Sequence, residues 1–284
     1  MLSFRPTGSL LTKQWFYKEY GNKAIETVKD YPYKLCENSG IGFITADKIA
    51  LSMGMHPLDL RRADEGLIFT LVDAEGRGNL CFEKQSFIKA ALKLLDTDGL
   101  TEEMAACRAM VLVSQGQLVC YDGEVFRFQT AAVEGALARA TVKQLSSPIK
   151  CSYGNLDDEL DKQEASMKIK FAPEQRSAIN TALTNGLAII IGGPGTGKSM
   201  IQIAILDIYK KSTPGKTICL CAPTGKAARR MCQATGRDAS IVHKALNLYA
   251  SEDGTYGSSG NLDAELILVD EVSMLDVYLV LHLF

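Results

Sequence analysis

The sequence predicts an α/β domain organised around a phosphate-binding loop, preceded by a mainly α-helical region. Three observations carry this reading. Gly192, Gly193, Pro194, Gly195, Thr196, Gly197, Lys198 and Ser199 fit the pattern G-x-x-x-x-G-K-[ST]. An apolar run over 187–191 leads into that loop, and a helix-compatible run over 200–209 leads out. Two further apolar runs, 216–221 and 266–269, alternate with helical segments, as the buried strands of a parallel sheet do.

The loop residues suit a polyphosphate. Glycine turns the backbone tightly and aims N–H groups inward with no Cβ in the way. Those groups and the N-terminus of the following helix form an anion cradle. Lys198 would reach the β- and γ-phosphates, and Ser199 would hold Mg²⁺ through its hydroxyl.

From the N-terminus, residues 1–57 form a helical region. Trp15, Phe16, Tyr17 and Tyr20 make an aromatic cluster. Helix packing and base stacking both suit these rings. A short helix is expected over 22–29, with Asp30 capping a second. Ser39-Gly40-Ile41-Gly42 then turns the chain into a helix with Ala46, Ile49, Ala50 and Met53 on one face. This turn and helix resemble the helix-hairpin-helix motif. The resemblance implies phosphate contacts from the backbone at Gly40, Gly42 and Thr45, with charge from Lys48. A tight connection between packed helices remains the other reading.

Residues 58–145 read as helices over 61–73, 83–95 and 101–115, a hairpin, and a helix over 130–145. Leu67, Ile68, Leu71 and Val72 are expected inward on the first. Asp122-Gly123 between two alternating apolar runs is the hairpin signal. Three helices and a hairpin look like a winged-helix module, a shape that serves DNA or protein contacts equally. Residues 146–170 are polar and read as a linker with a partial helix. Their acidic run, Asp157-Asp158-Glu159-Leu160-Asp161, reads as a solvated face.

Residues 171–284 carry the α/β pattern. A helix over 173–183 precedes the strand 187–191 and the loop. A second strand, 216–221, leads into a helix opened by Thr224. Residues 240–248 read as helical and 250–261 as a mobile Ser/Gly-rich loop. A third strand over 266–269 ends in Asp270-Glu271. A carboxylate at that strand end can hold Mg²⁺, and Glu271 is placed to polarise an attacking water. The apolar tail 277–284 is expected to be exposed.

Bulk properties bound the class. With 46% hydrophobic and 23% charged residues, the 284-residue chain is ordinary globular material, sized for about two domains. No apolar run approaches the roughly 20 residues that span a bilayer, and no leader is legible, so a cytoplasmic protein with no membrane partner is expected. The eight cysteines show no C-x-x-C pair, which reads as reduced core thiols rather than a zinc site. Net charge is −2, with 18 basic and 18 acidic residues over 1–150, and 13 and 15 over 151–284. Nucleic-acid contact must therefore come from a local patch.

Taken together, several segments resemble the motifs of a known family. Pro173-Glu174-Gln175 looks like the helicase Q-motif, whose glutamine reads adenine. The phosphate loop is motif I. Residues 222–229 look like motif Ia, 240–246 are similar to the segment after it, and Val269-Asp270-Glu271 looks like motif II. These resemble the RecD-like branch of superfamily one DNA helicases, whose longer bacterial members carry a helix-hairpin-helix region ahead of the motor. The resemblance implies a RecA-like motor fold and ATP-driven 5′ to 3′ translocation on single-stranded DNA, with unwinding of tailed duplexes in recombination or repair. It places Thr224 against the DNA backbone and His243 near the strand, although a packed core histidine fits position 243 as well. Motifs III to VI, the second RecA-like domain with its arginine finger and an amino-terminal OB-like domain are not in the sequence. The expectation is a motor portion that binds Mg²⁺ and ATP, hydrolyses slowly and unwinds nothing without a missing C-terminal half or a partner subunit. The alternatives are a nucleotide-dependent DNA-binding module and a different phosphate-loop ATPase, such as a relaxase-associated helicase domain or an AAA-type protein.

Overall fold

The computed structural model describes residues 21, 24–37, 41–147, 153–250, 256–258, 262 and 264–284. The aromatic cluster at 15–20 and Gly40 lie outside them. The chain divides into two compact units, one up to Ala132, the other Val133–Tyr249 with Tyr256–Phe284.

The first unit opens with α1 (Ala24–Asp30), a 3-10 turn (Pro32–Glu37) and α2 (Phe43–Ser52). Phe43, Ala46 and Ala50 of α2 are buried with Tyr33, Leu35 and Ile41, and Ile49 packs against them. Met53, expected on that face, is instead the C-cap of α2. Tyr33 and Phe43 stack with centroids 5.6 Å apart. Next come α3 (Leu60–Gly76), the short strand β1 (Phe82–Glu83), α4 (Lys84–Leu95) and α5 (Glu102–Ser114). Each of these helices starts where a side chain takes up free backbone N–H groups. Asp59 accepts from Arg61 N, Glu83 from Gln85 N and Ser86 N, and Thr101 from Met104 N. Leu67 and Leu71 of α3 are buried as the periodicity requires, but Val72 is 37% exposed. One helical position further round takes it past the edge of the apolar stripe. The hairpin is β2 (Leu118–Tyr121) and β3 (Glu124–Arg127), turning at Asp122 (φ 49°) and Gly123 (φ 80°). Positive φ at both turn residues is what the right-handed twist of a hairpin requires. Strand β3 pairs antiparallel with β2 and β1, giving the order β1-β3-β2.

One buried ion pair ties α2 to α3. Arg62 is 4% exposed and donates from Nε and Nη2 to the two oxygens of Asp47, at 2.8 and 2.9 Å. Its remaining donors reach Pro57 O, Leu95 O and Thr97. Tyr33 donates to the same carboxylate at 2.7 Å. Burial, and then that bond, push its phenol well above the ordinary tyrosine range. Helix α6 (Phe128–Leu145) follows in the chain.

In the second unit the stretch expected as a linker contains α7 (Leu156–Met167), capped by Asn155. Its Leu160 is buried with Phe171, Ile179 and Leu183, so 156–167 is part of a core rather than a tether. Helix α8 (Pro173–Thr184) leads to the phosphate loop and α9 (Lys198–Ser212). The sheet has β4 (Ile218–Ala222), β5 (Ser240–Ile241) and β8 (Leu266–Val269), parallel and in the order β5-β4-β8. Between these strands lie α10 (Gly225–Thr235), the one-turn α11 (Val242–Ala245) and a small ribbon of β6 (Leu248–Ala250) and β7 (Tyr256–Ser258). A 3-10 turn (Val272–Met274) and α12 (Val277–Leu281) complete the described chain.

Strand alternation splits the core into two faces. Leu220, with Ile218, Leu266 and Leu268, meets Leu206 of α9 and Met231 of α10. Cys219, Cys221, Ile267 and Val269 point the other way, against Val242 and Leu246. Both faces are thereby covered, as an apolar parallel strand demands.

Four expectations change. Residues 187–191 form no strand, Leu187 lying in a bend and 188–191 having no regular structure, and Ile189 and Ile191 are 72% and 93% exposed. An apolar run becomes a strand only when a neighbour supplies a hydrogen-bond ladder, and none reaches this one among the described residues. Residues 240–248, expected helical throughout, hold a bridge to β4, one helical turn and the start of β6. The 250–261 loop contains β7. The apolar tail is not all exposed: Leu279 is 4% exposed and Leu283 packs against the Cys221 cluster.

Candidate nucleotide site

The loop is held from two sides. Gly195 and Gly197 sit at φ 76° and 83°, a left-handed conformation that costs an L side chain free energy and glycine none. Thr196 folds back to donate from Oγ1 to Gly193 O at 2.9 Å. A Cβ on Gly192 would lie 2.6 Å from Thr196 Oγ1, so the fold-back needs glycine there. The Lys198 ammonium donates to the carbonyls of Gly192 and, at 2.9 Å, Gly193, which aims it along the loop. Gly193, Pro194 and Gly195 are exposed, as is Ser199 in the first turn of α9.

The other side is Gln175, the third residue of α8. Its Oε1 accepts from Ala172 N at 3.0 Å, closing the start of α8 as a capping residue does. Its Nε2 donates to Thr196 O at 2.9 Å. Gly197 is glycine for a second reason: a Cβ would come within 2.6 Å of Gln175 Nε2. The sequence pointed to Gln175 as a base reader; the structure adds a bond to the loop that no local pattern could disclose.

Asp270 and Glu271 leave the sheet at the end of β8. Asp270 N donates to Cys221 O at 3.0 Å, fixing the exit against β4. Glu271 has φ 52°, the left-handed region, and its N–H donates to Asp270 Oδ1 at 3.0 Å. The turn spends one Asp270 oxygen and leaves the other, while Glu271 is exposed. Strained backbone of this kind persists where surrounding structure enforces it, and functional sites are where it concentrates.

The residues expected on DNA fall in two places, one per unit. Gly42, Thr45 and Lys48 are exposed at the start of α2, with Gly42 as its N-cap. Gly42 has φ −80° and open space where a Cβ would lie, so the turn itself does not require glycine there. In the second unit Thr224 caps α10, accepting from Ala227 N at 3.2 Å and keeping its O–H to donate. Lys226, Arg229 and Arg230 lie on the exposed face of α10, and Lys244 is exposed on α11. None of these four cations has an ion pair among the described residues. His243 is half-buried and lines a surface hollow of about 570 Å³ with Ile241, Lys244, Asn247 and Leu248.

Residues 175–284 match the family described as AAA domain, and residues 10–81 match the ATP-dependent RecD2 DNA helicase HHH domain. The second match spans the hairpin and the first the nucleotide loop, in the order of the sequence motifs. The chain is RecD-like over most of its length. An ATP-dependent RecD2 DNA helicase of Deinococcus radiodurans is 30% identical over 279 residues, covering 94% of this chain and 38% of that protein. The RecBCD enzyme subunit RecD of Haemophilus influenzae is 32% identical over 149 residues, 44% of this chain and 23% of the relative. That of Mycolicibacterium smegmatis is 31% identical over 133 residues, 39% and 24%. This RecD-like chain therefore spans under two-fifths of the relatives it matches. Among its described residues no helix is long and apolar enough to cross a membrane.

Proposed function

We propose that this chain binds Mg²⁺ and ATP at residues 192–199 and serves as the nucleotide-binding, DNA-contacting portion of an ATP-dependent, 5′ to 3′ DNA helicase. The observation that carries it is the loop itself: positive-φ glycines, a lysine aimed along it and a glutamine clamped on its backbone. Gln175 favours adenine over other bases. After its two bonds the amide retains one N–H and one lone pair. That pair matches the N7 acceptor and N6 donor of adenine. The Lys198 ammonium would exchange loop carbonyls for β- and γ-phosphate oxygens. Hard oxygen donors from Ser199 and the free Asp270 oxygen suit Mg²⁺, which binds through few protein ligands and supplies charge neutralisation at the phosphates. Glu271 would accept the proton of an attacking water.

DNA would cross Gly42, Thr45 and Lys48 in the first unit. In the second it would meet Thr224, His243 and the unpaired cations of α10 and α11. Such contacts hold a backbone without reading its sequence. Calorimetric titration of Mg-ATP tests the nucleotide site. Lys198→Ala is expected to weaken binding by about tenfold or more, about 1.4 kcal/mol. Equal affinity in wild type and variant overturns the assignment. DNA affinity, followed by fluorescence anisotropy, is expected to fall as salt rises, because phosphate contacts release counterions. Salt-independent binding overturns the DNA assignment.

A further inference from the structure

We infer that Arg176 and the carboxylates of α7 that grip it are positioning residues for Gln175, so that nucleotide affinity depends on an ion cluster outside the phosphate loop. The inference rests on the proposed nucleotide site and names a determinant that its loop motif does not contain.

Two acids of the run to which the sequence gives no partner, Asp157 and Asp161, close on one guanidinium together with Glu164 beyond it. Arg176 Nη1 donates to Asp161 Oδ1 at 2.8 Å and to Glu164 Oε1 at 3.1 Å, and Nη2 donates to Asp157 Oδ1 at 3.3 Å. The three acids are not equivalent. The side chains of Asp157 and Asp161 are 77% and 66% exposed, so solvent screens those pairs to little net effect. Glu164 is 6% exposed, and the same Oε1 accepts from Phe171 N at 3.0 Å. A nearly buried carboxylate bonded to both a backbone N–H and a guanidinium is a strong fixed point.

Its two bonds bracket Gln175. On one side Glu164 holds Phe171, one residue before Ala172, whose N–H goes to Gln175 Oε1. On the other it holds Arg176, the next residue along α8. The backbone at 171–176 is thus fixed at both ends by one carboxylate. Between those ends Gln175 spans to Thr196 O with about 3 Å of hydrogen-bond reach and 2.6 Å of clearance from a Gly197 Cβ position. A shift of α8 away from the loop by about 0.7 Å would lengthen the bond past hydrogen-bond reach, and a shift toward it would push the amide into the loop. Nothing else among the described residues bonds the Gln175 amide.

The test is a double-mutant cycle between Gln175→Ala and Arg176→Met, read as the affinity of the full chain for Mg-ATP and Mg-GTP. If Arg176 acts through Gln175, R176M lowers ATP affinity by about tenfold and reduces the ATP-over-GTP preference toward that of Q175A. The double variant then binds no more weakly than Q175A alone, and Arg176→Lys recovers part of the loss. A folded R176M with wild-type affinity, or two losses that simply add, overturns the inference while leaving the nucleotide site standing. A wild-type chain that binds neither nucleotide overturns both. Melting curves check each fold, and where R176M fails to fold, Glu164→Gln enters the same cycle with the same expected non-additivity.

Discussion

Glycine occupies very different positions along this chain. At Gly66, in the middle of α3, a Cβ would lie 2.6 Å from Leu95 Cδ2, and Leu95 is 2% exposed. Gly66→Ala is therefore expected to destabilise the first unit by about 1–3 kcal/mol, the cost of overpacking, read as a lower urea midpoint at unchanged slope. At Gly42 the backbone is ordinary and space is open. Gly42→Ala is expected to leave the urea midpoint in place and weaken DNA binding, since a methyl obstructs only an approaching backbone. Unchanged DNA affinity would make the hairpin a structural connection. The loop residues were legible because their spacing is local and their chemistry fixed by type. The Gln175–Thr196 bond was not, because its partners lie 21 positions apart. For the same reason nothing local in the sequence marks Arg176.

Helix starts were the easiest elements to read. Glu83 and Thr101 mark a boundary within one residue of where the structure places it, because a cap bonds only its own next turn. Strands were harder, since a strand is a relation between segments. Leu266–Val269 and residues 187–191 read alike as apolar runs, yet only the first has a ladder among the described residues. The β4–β8 pair carries a further device at its opening end. Glu265 accepts from Thr217 Oγ1 at 2.6 Å and Thr217 N at 2.7 Å, with Lys216 Nζ at 3.3 Å. The Thr217 hydroxyl first, its N–H next and Lys216 last hold the carboxyl down at about 2, against an ordinary 4.5. A carboxyl lowered by folding stabilises fully above its unfolded value, and that stabilisation is lost as pH falls from about 4.5 toward 2. Glu265→Gln is expected to melt lower than wild type at neutral pH and to lose less stability across that window. Parallel pH profiles would show that the bond adds nothing.

At the scale of the molecule the two units have separate cores. Tyr33, Phe43, Leu67 and Phe87 anchor clusters in the first; Leu160, Ile205, Leu220 and Val242 anchor those of the second. Every residue of the candidate nucleotide site belongs to the second. Scanning calorimetry is expected to resolve two transitions, of which saturating Mg-ATP raises one. At a hundredfold excess over Kd the linkage amounts to about 2.7 kcal/mol. Equal displacement of both transitions would mean that the units unfold together. The division into a helical region and an α/β region could be read from periodicity alone. Its position could not, because 156–167 resembles a tether in composition and is core by virtue of Leu160.

The apolar run before the loop also governs how the purified chain behaves in a tube. Ile189 and Ile191 are exposed two positions apart, on backbone that joins no ladder among the described residues. That is a template for pairing with an identical run on another molecule. Light scattering is expected to show particle mass climbing with protein concentration. Ile189→Lys, which puts a charge on the open edge, is expected to hold the mass at one chain and improve yield during concentration and storage.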